Sequence, residues 1–220
     1  HTFELWPQER QQTLPSSRQA TASEIALVES GGSTDWVDLV TEDALQTSHN
    51  IGVAGGTGKT TFDFSVGYLN EEGNTIHTGF QRYTAKAGLE SQVHDKVKVG
   101  ITSLYTFSKA DLGSLETLRS ALRARPTGTV YTEDLQPTDA AGDKDWNGYA
   151  LFMGINDNQV INPVVEAQPE NYQRERRASA FLASAYIDYT PIKGLSFRTA
   201  LSTAITDAQE GEFRGTFTKD

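Results

Sequence analysis

Cysteine is absent from the 220-residue chain, so a disulfide framework and a thiolate metal site are both excluded. Basic residues are also scarce: 19 lysines and arginines stand against 29 aspartates and glutamates, which gives a net charge of −10. No basic face large enough to hold nucleic acid is therefore expected. No run of 18 apolar residues occurs, which argues against a transmembrane helix.

Low mean hydropathy does not settle whether the chain meets lipid. The mean hydropathy is −0.47, a value that fits many soluble proteins. A transmembrane β-strand, however, presents only every second residue to lipid and so also has a low average. The arrangement of apolar residues along the chain has to decide between the two.

The stretch IGVAGGTGKTT, residues 51–61, resembles a phosphate-binding loop around Lys59. That motif requires a glycine at position 53, which is Val53, and it must open into a helix. The residues that follow alternate between apolar and polar with a period of two, which is typical of a strand. We therefore predict a β-hairpin, with Gly55 and Gly56 at positive φ in its turn, and reject a P-loop phosphotransferase.

The same alternation recurs along most of the chain and predicts about six strands. Several exceed 12 residues, whereas strands of soluble sheets usually have five or six. Their connections alternate between short turns and long loops, as in bacterial outer-membrane barrels, which have short periplasmic turns and long extracellular loops. The predicted strands are residues 46–55, 60–70, 79–93, 96–109, 174–190 and 194–207.

These patterns predict four consecutive regions. Residues 1–45 form an extracellular loop region with a short helix at TASEIALVES, and residues 46–109 form the first four barrel strands. Residues 110–173 form a long extracellular loop with a helix at SLETLRSALRAR, and residues 174–220 hold two further strands and the start of the next loop. The predicted fold class is all-β, an antiparallel transmembrane β-barrel segment.

Aromatic residues near the predicted strand ends resemble the two interfacial girdles of membrane barrels. The girdle candidates are Tyr68, Phe80, Tyr83, Tyr105 and Phe107 at the outer ends, and Phe62 and Tyr189 at the inner ends.

Two other folds are alternatives to the segment of a large barrel: a soluble β-sandwich binding module with a long insertion, and a small complete barrel of eight strands. Six strands cannot close around a polar lumen, so we expect these residues to be one stretch of a larger chain.

Several segments, in order, resemble the barrel strands of SusC/RagA-family TonB-dependent outer-membrane transporters. The match covers about residues 35–220, and no residue in it is catalytic in that family. The matching segments are TDWVDLV (34–40), HNIGVAGGTGKTTFDFSVGYLNEEG (49–73), GFQRYTAKAGLESQVHDKVKVG (79–100), NPVVEA (162–167) and YIDYTPIKGLSFRTALS (186–202).

The resemblance implies a 22-stranded barrel with an N-terminal plug in the bacterial outer membrane. It implies import of oligosaccharides or oligopeptides, without enzymatic activity. The implied partners are the rest of the barrel and its plug, a SusD-like surface lipoprotein, the TonB complex and outer-membrane lipid. The plug and the TonB-contacting region have no counterpart in these 220 residues.

Candidate binding residues are few, and all lie in the predicted long loop. Trp146, Tyr149 and Phe152 offer stacking surfaces for sugar rings. Residues Asp143, Asp145 and Asn147 match the opening of a calcium-binding loop, but position 154 is Gly154 rather than the bidentate glutamate. They are candidates for a loop calcium site or a plain Asx-rich turn, and no other cofactor is expected.

The cluster RERR, residues 174–177, is basic and stands at the predicted outer end of strand five. It could grip an anionic group, or its arginines could reach lipid headgroups and acidic loop residues. The four histidines have no ligand spacing, so a zinc site is not expected.

Overall fold

The computed structural model describes residues 22–131, 161–215 and 218. The described residues contain one six-stranded antiparallel sheet in the order β1-β2-β3-β4-β5-β6, together with four short helices. No helix among them is long and apolar enough to cross a membrane. The helices are α1 (Ala22–Glu29), α2 (Trp36–Val40), α3 (Leu115–Arg123) and α4 (Pro163–Glu166). The strands are β1 (Gln46–Gly56), β2 (Thr60–Glu72), β3 (Gly79–His94), β4 (Val97–Asp111), β5 (Tyr172–Ile192) and β6 (Leu195–Arg214).

The six predicted strands are confirmed, and the last two are longer than predicted. The predicted helices at 21–30 and 114–125 are also present as α1 and α3, while α2 and α4 were not predicted. The sandwich alternative needs a second sheet packed on the first, and residues 22–131 and 161–215 contain only one sheet, with the fold of a barrel segment. A strand at Thr60–Glu72 likewise rules out a P-loop, because that motif leads into a helix.

The sheet has two different ends. At the turn end, three short connections join β1 to β2, β3 to β4 and β5 to β6. At the loop end lie residues 73–78, which join β2 to β3, and the long segment between β4 and β5. All four helices belong to the segments at the loop end, so the predicted alternation of short and long connections is present. Assignment of the loop end to the extracellular side stays a prediction.

The first hairpin turn differs from the predicted one. Gly55 and Gly56 lie inside β1 and do not have positive φ; the turn consists of residues 57–59, and the N–H of Thr57 donates to the Thr60 carbonyl at 2.7 Å. The two glycines instead allow atoms of β2 to lie close to the backbone of β1. A Cβ on Gly55 would come within 3.0 Å of the Phe62 ring, and one on Gly56 would overlap the backbone of Thr60. The prediction of positive φ was therefore wrong, although the hairpin itself is confirmed.

Cross-strand register divides the sheet into an apolar and a polar face. Leu89 on β3 lies between Phe62 on β2 and Ile101 on β4, and Ile101 pairs with Ala185 on β5. One residue away, Gly88 lies between Asp63 and Thr102 on the opposite face. Successive residues of a strand point to opposite faces, so these two rows define the faces along all the strands.

Among the described residues, the buried apolar core lies at the loop end. Trp36 and Val40 of α2 pack with Ala121 of α3 and Val164 of α4, and these four residues form one buried cluster. The Trp36 indole N–H donates to the Arg125 carbonyl at 2.7 Å. We call this assembly, residues 22–45, 112–131 and 161–171, the cap.

The cap is joined to the sheet through backbone hydrogen bonds. The N–H of Ile76, in the loop between β2 and β3, donates to the Val40 carbonyl at 3.1 Å, and Thr41 forms a bridge with Thr75. On the other side, the N–H of Leu112 donates to the carbonyl of Arg174 at 2.8 Å. The described residues of the cap therefore lie on the loop end of the sheet and cover neither face of the strands.

Candidate functional site

The apolar face carries large side chains that remain exposed on strands in the middle of the sheet. Leu89, Ile101 and Tyr105 are 47%, 50% and 46% exposed. They belong to β3 and β4, which are hydrogen-bonded to neighbours on both sides, so an open sheet edge does not explain their exposure. An apolar patch of this extent is uncommon on soluble monomers and normally marks an interface with protein or membrane.

The apolar band has the height of a membrane barrel. It runs on β4 from Val97, paired with Tyr189, to Phe107, paired with Tyr83. At about 3.3 Å per residue and a strand tilt of about 40°, residues 97–107 rise about 25 Å, which is the usual height of the lipid-facing band. Beyond Phe107 the same face carries Lys109.

Aromatic rings mark the loop-end boundary of this band. Tyr68 and Tyr83 have ring centroids 5.0 Å apart, and Tyr83 and Phe107 have centroids 6.5 Å apart, so the three form a row across β2, β3 and β4. Phe80, by contrast, pairs with Glu71 and Ala110 on the polar face, so its predicted place in the girdle was wrong. Phe80 and Arg82 are two residues apart on β3 and so lie on the same face. This even spacing is visible in the sequence and could have excluded Phe80 from the girdle.

The polar face holds ion pairs that link neighbouring strands. Lys86 of β3 lies 3.1 Å from Asp63 of β2, and Lys98 of β4 lies 2.5 Å from Glu90 of β3. Each pair matches one acid with one base, so neither pair carries a net charge.

The densest polar network spans β3 to β6 near the turn end. Arg198 donates two hydrogen bonds to Asp188, at 2.6 and 2.5 Å, and its guanidinium lies 4.6 Å from the centroid of the Tyr186 ring. The Tyr186 hydroxyl in turn donates to Glu90. The network fixes three strands relative to one another on the face away from the apolar band.

A glycine makes this network possible. Gly100 of β4 lies in register between Glu90 and Tyr186, and a Cβ there would overlap the Tyr186 ring. The ring therefore lies flat across β4 and reaches an acid two strands away. Sequence reasoning missed this network because its members are far apart in the chain and only the register brings them together.

A second cluster lies at the loop end, beyond the apolar band. Lys109 contacts Glu175 at 2.8 Å, which raises the pKa of the lysine and lowers that of the carboxyl. Tyr172 donates to Glu212 at 2.7 Å, and its partial burial, together with this acceptor, raises the pKa of the phenol to about 12. Arg174 pairs with Glu210, its Nε at 2.7 Å.

A cavity of about 560 Å³ opens next to this cluster, between the strand ends and the cap. Phe80, Tyr172 and His77 supply aromatic walls, and Lys109 and Arg174 supply charge. It has room for a small peptide side chain or a sugar ring.

The site residues predicted from the sequence all lie outside the described residues, so both of their predicted roles stay predictions. They are the stacking candidates Trp146, Tyr149 and Phe152 and the calcium candidates Asp143, Asp145 and Asn147. Within residues 22–131, 161–215 and 218, no group of three or more metal-ligating side chains is placed to hold an ion.

Comparison with known proteins gives one consistent group, although no family model matches the chain. The TonB-dependent receptor P26 of Formosa agariphila is 24% identical over 181 residues, which cover 81% of this chain and 17% of that protein. The TonB-dependent receptor SusC of Bacteroides thetaiotaomicron is 25% identical over 172 residues, which cover 71% of this chain and 16% of SusC. The chain thus spans less than a fifth of these relatives.

Solved structures give the same result for the fold. A structure of the RagAB peptide transporter superposes with a TM-score of 0.57 at 19% identity, over 82% of this chain and 20% of that one. The RagAB peptide importer in an open-open state gives a TM-score of 0.59 at 18% identity, over 82% and 19% of the two chains. The resemblance to SusC/RagA-family transporters is confirmed, and the fold is that of a segment of their β-barrel.

Proposed function

We propose that this segment of a transporter-type barrel is part of the wall of a TonB-dependent outer-membrane transporter that imports large nutrients. The observation that carries the proposal is the division of one sheet into an exposed apolar band and an ion-paired polar face. Leu89 and Ile101 would face lipid, and Asp63, Lys86 and Arg198 would face a water-filled lumen. The same arrangement supports the bacterial outer membrane as the proposed location of the protein.

Edge strands support the view that the wall continues beyond these residues. Within the described residues, β1 and β6 are each paired on one side only. An open edge in lipid leaves backbone groups unsatisfied at several kcal/mol each. Further strands of the same barrel would pair with both edges, and a plug would occupy the lumen.

The cargo class is proposed as oligopeptides or oligosaccharides, and the role as non-catalytic. The named relatives are receptors and transporters rather than enzymes. Solved neighbours that transport peptides favour the peptide class.

The cap is the proposed contact for a SusD-like surface lipoprotein. Its helix α3 packs Thr117, Ser120 and Ala121 inward and leaves a leucine stripe outward. Leu115 and Leu122 of this stripe are 79% and 70% exposed. An apolar helix face at the loop end fits a protein partner better than open water.

Uptake in cells tests the proposal. A strain that expresses the complete protein is compared with one that lacks it, using labelled oligopeptides and oligosaccharides, with and without a collapsed proton gradient. We expect gradient-dependent uptake of one class only in the expressing strain, and co-purification of a surface lipoprotein that Leu115→Lys and Leu122→Lys weaken. Uptake that is equal in both strains would contradict the transporter proposal.

A further inference from the structure

Two arginines on the polar face near the loop end have no acidic partner. Arg82 lies on β3 and Arg176 on β5, and both are exposed. Among the described residues neither makes an ion pair or a side-chain hydrogen bond. They differ in this from Lys86, Lys98 and Arg198, each of which has its own carboxylate on the same face.

The register of β5 and β6 explains why Arg176 has no carboxylate partner. Its directly opposite residue on β6 is Glu210, the natural partner for an arginine. That carboxylate is taken by Arg174, which reaches it diagonally with two nitrogens at 2.7 and 2.6 Å. Arg177 points to the other face of the sheet and pairs with Glu175. Of the three arginines in RERR, only Arg176 thus presents an unneutralised charge.

Arg82 is flanked by residues that cannot neutralise it. Its cross-strand neighbours are Leu69 on β2 and Ser108 on β4. The nearest acid by register on this face is Glu71, two residues further along β2 than Leu69, and its carboxylate accepts a hydrogen bond from Gln46 at 2.8 Å. It lies beyond ion-pair distance of Arg82.

The side chains on the surface between the two arginines are short. Arg82 and Arg176 are separated by two strands across the sheet and by two residues along it, which places their Cα atoms about 12 Å from each other. Both guanidinium groups can therefore reach one extended ligand that lies across β4. Phe80, in the same row as Arg176, adds an apolar wall on that face. The floor consists of Ser108, Ala110 and Ala178.

We propose that Arg82 and Arg176 form a binding site for the carboxylates of an acidic oligopeptide on the lumen side of the loop end. The inference rests on the proposed function and adds a preference of the transporter for negatively charged cargo. Guanidinium groups match carboxylates in shape and charge, and small side chains between them let the ligand backbone lie close to the sheet. The excess positive charge is local, since the whole chain carries a net charge of −10.

Binding of matched peptides to the complete protein tests the site. The probes are two fluorescent oligopeptides of equal length, one with two glutamates and one with two glutamines at the same positions, and an oligouronate of similar size. The variants are Arg82→Gln with Arg176→Gln, the same pair changed to glutamate, and Arg177→Gln as control. The control removes one positive charge, half of what the glutamine pair removes, from the residue next to Arg176 on β5 but on the opposite face.

We expect the wild-type protein to favour the acidic over the neutral peptide about 5- to 30-fold at low salt, with the preference falling as salt rises. The glutamine pair should abolish the preference, the glutamate pair should reverse it, and the control should keep it. Heat-stable migration of each variant on native gels reports that the barrel has assembled.

A preference that survives in the glutamine pair, or that is lost equally in the control, would overturn the site while leaving the transporter proposal intact. Arginine-dependent binding of the oligouronate without any acidic-peptide preference would assign the site to a glycan instead. Failure of every probe to bind the wild-type protein would count against the proposed function as well.

Discussion

The cap buries Trp36 and Val40 to 2% and 0% exposure, whereas Leu89 and Ile101, on strands paired on both sides, remain 47% and 50% exposed. The cap follows the rule of soluble proteins, in which apolar side chains leave water for one another. The sheet has no such core, and its backbone hydrogen bonds and cross-strand pairs hold it together. The proposed function accounts for this difference with two solvents, water around the cap and lipid around the band.

The largest effect is expected from a charge placed in the apolar band. Ile101→Lys should prevent assembly of the complete protein or destabilise it by about 2–4 kcal/mol, because a cation near the bilayer midplane is poorly solvated. The control Thr102→Lys is the next residue of β4 and lies on the polar face. Heat-modifiable gel mobility measures assembly; equal damage from both variants would contradict two distinct faces.

Removal of the cap's central side chain should break only the cap. Trp36→Ala should destabilise the cap by about 3–5 kcal/mol, because it leaves a cavity and removes the hydrogen bond to the Arg125 carbonyl. Leu39→Ala, at an exposed position of the same helix, should have little effect. Limited proteolysis should show faster cleavage in the cap while the barrel keeps its heat-stable mobility. Loss of both together would mean that cap and sheet are one cooperative unit.

A methyl group at one glycine should disturb the polar network without touching the band. Gly100→Ala forces the Tyr186 ring away from β4 and so separates it from Glu90, at an expected cost of about 1–3 kcal/mol. Gly58→Ala is the control, since a Cβ there meets nothing within 4 Å and its φ is not positive. Thermal unfolding in detergent compares the two. An unchanged midpoint for Gly100→Ala would show that the ring position is not required.

The smallest effect should come from acid acting on the strand ends beyond the band. The pKa values of Glu175 and Glu212 are lowered, by Lys109 and by Tyr172 with Arg214 respectively. Their stabilising contribution is therefore complete above the ordinary pKa of 4.5 and is lost as the pH falls through the lowered values. Hydrogen exchange of residues 172–177 and 209–214 should speed up at pH 3 relative to the strand centres. A uniform change along β5 would contradict this.

Period-two alternation was enough to predict the strands and the two faces, because it is a local property of the chain. The sequence does not state the register, so the contact of Tyr186 with Glu90, 96 positions apart in the chain, could not be predicted. The role of Gly55 and Gly56 was misread for the same reason: only the facing strand shows that Phe62 and Thr60 need the space.

The cap was only partly predictable. Helices α1 and α3 were both predicted from the sequence, and α3 has a capping residue, Ser114, whose side chain accepts a hydrogen bond from the Glu116 N–H. The five-residue α2 and four-residue α4 are too short to give a periodic signal, and packing around Trp36 stabilises them. The stacking and calcium candidates between residues 143 and 152 lie outside the described residues and stay predictions.

The most direct test of the two-solvent account is a spin-label scan along β4 of the complete protein in lipid vesicles. Single labels at residue 99 and at residues 101–107 are exposed in turn to oxygen, which concentrates in lipid, and to a water-soluble nickel chelate. Labels at Val99, Ile101 and Tyr105 should be relaxed more by oxygen, and labels at Thr102 and Thr106 more by the chelate. Equal access of the chelate to both sets would contradict the claim that one face of this sheet lies against the membrane.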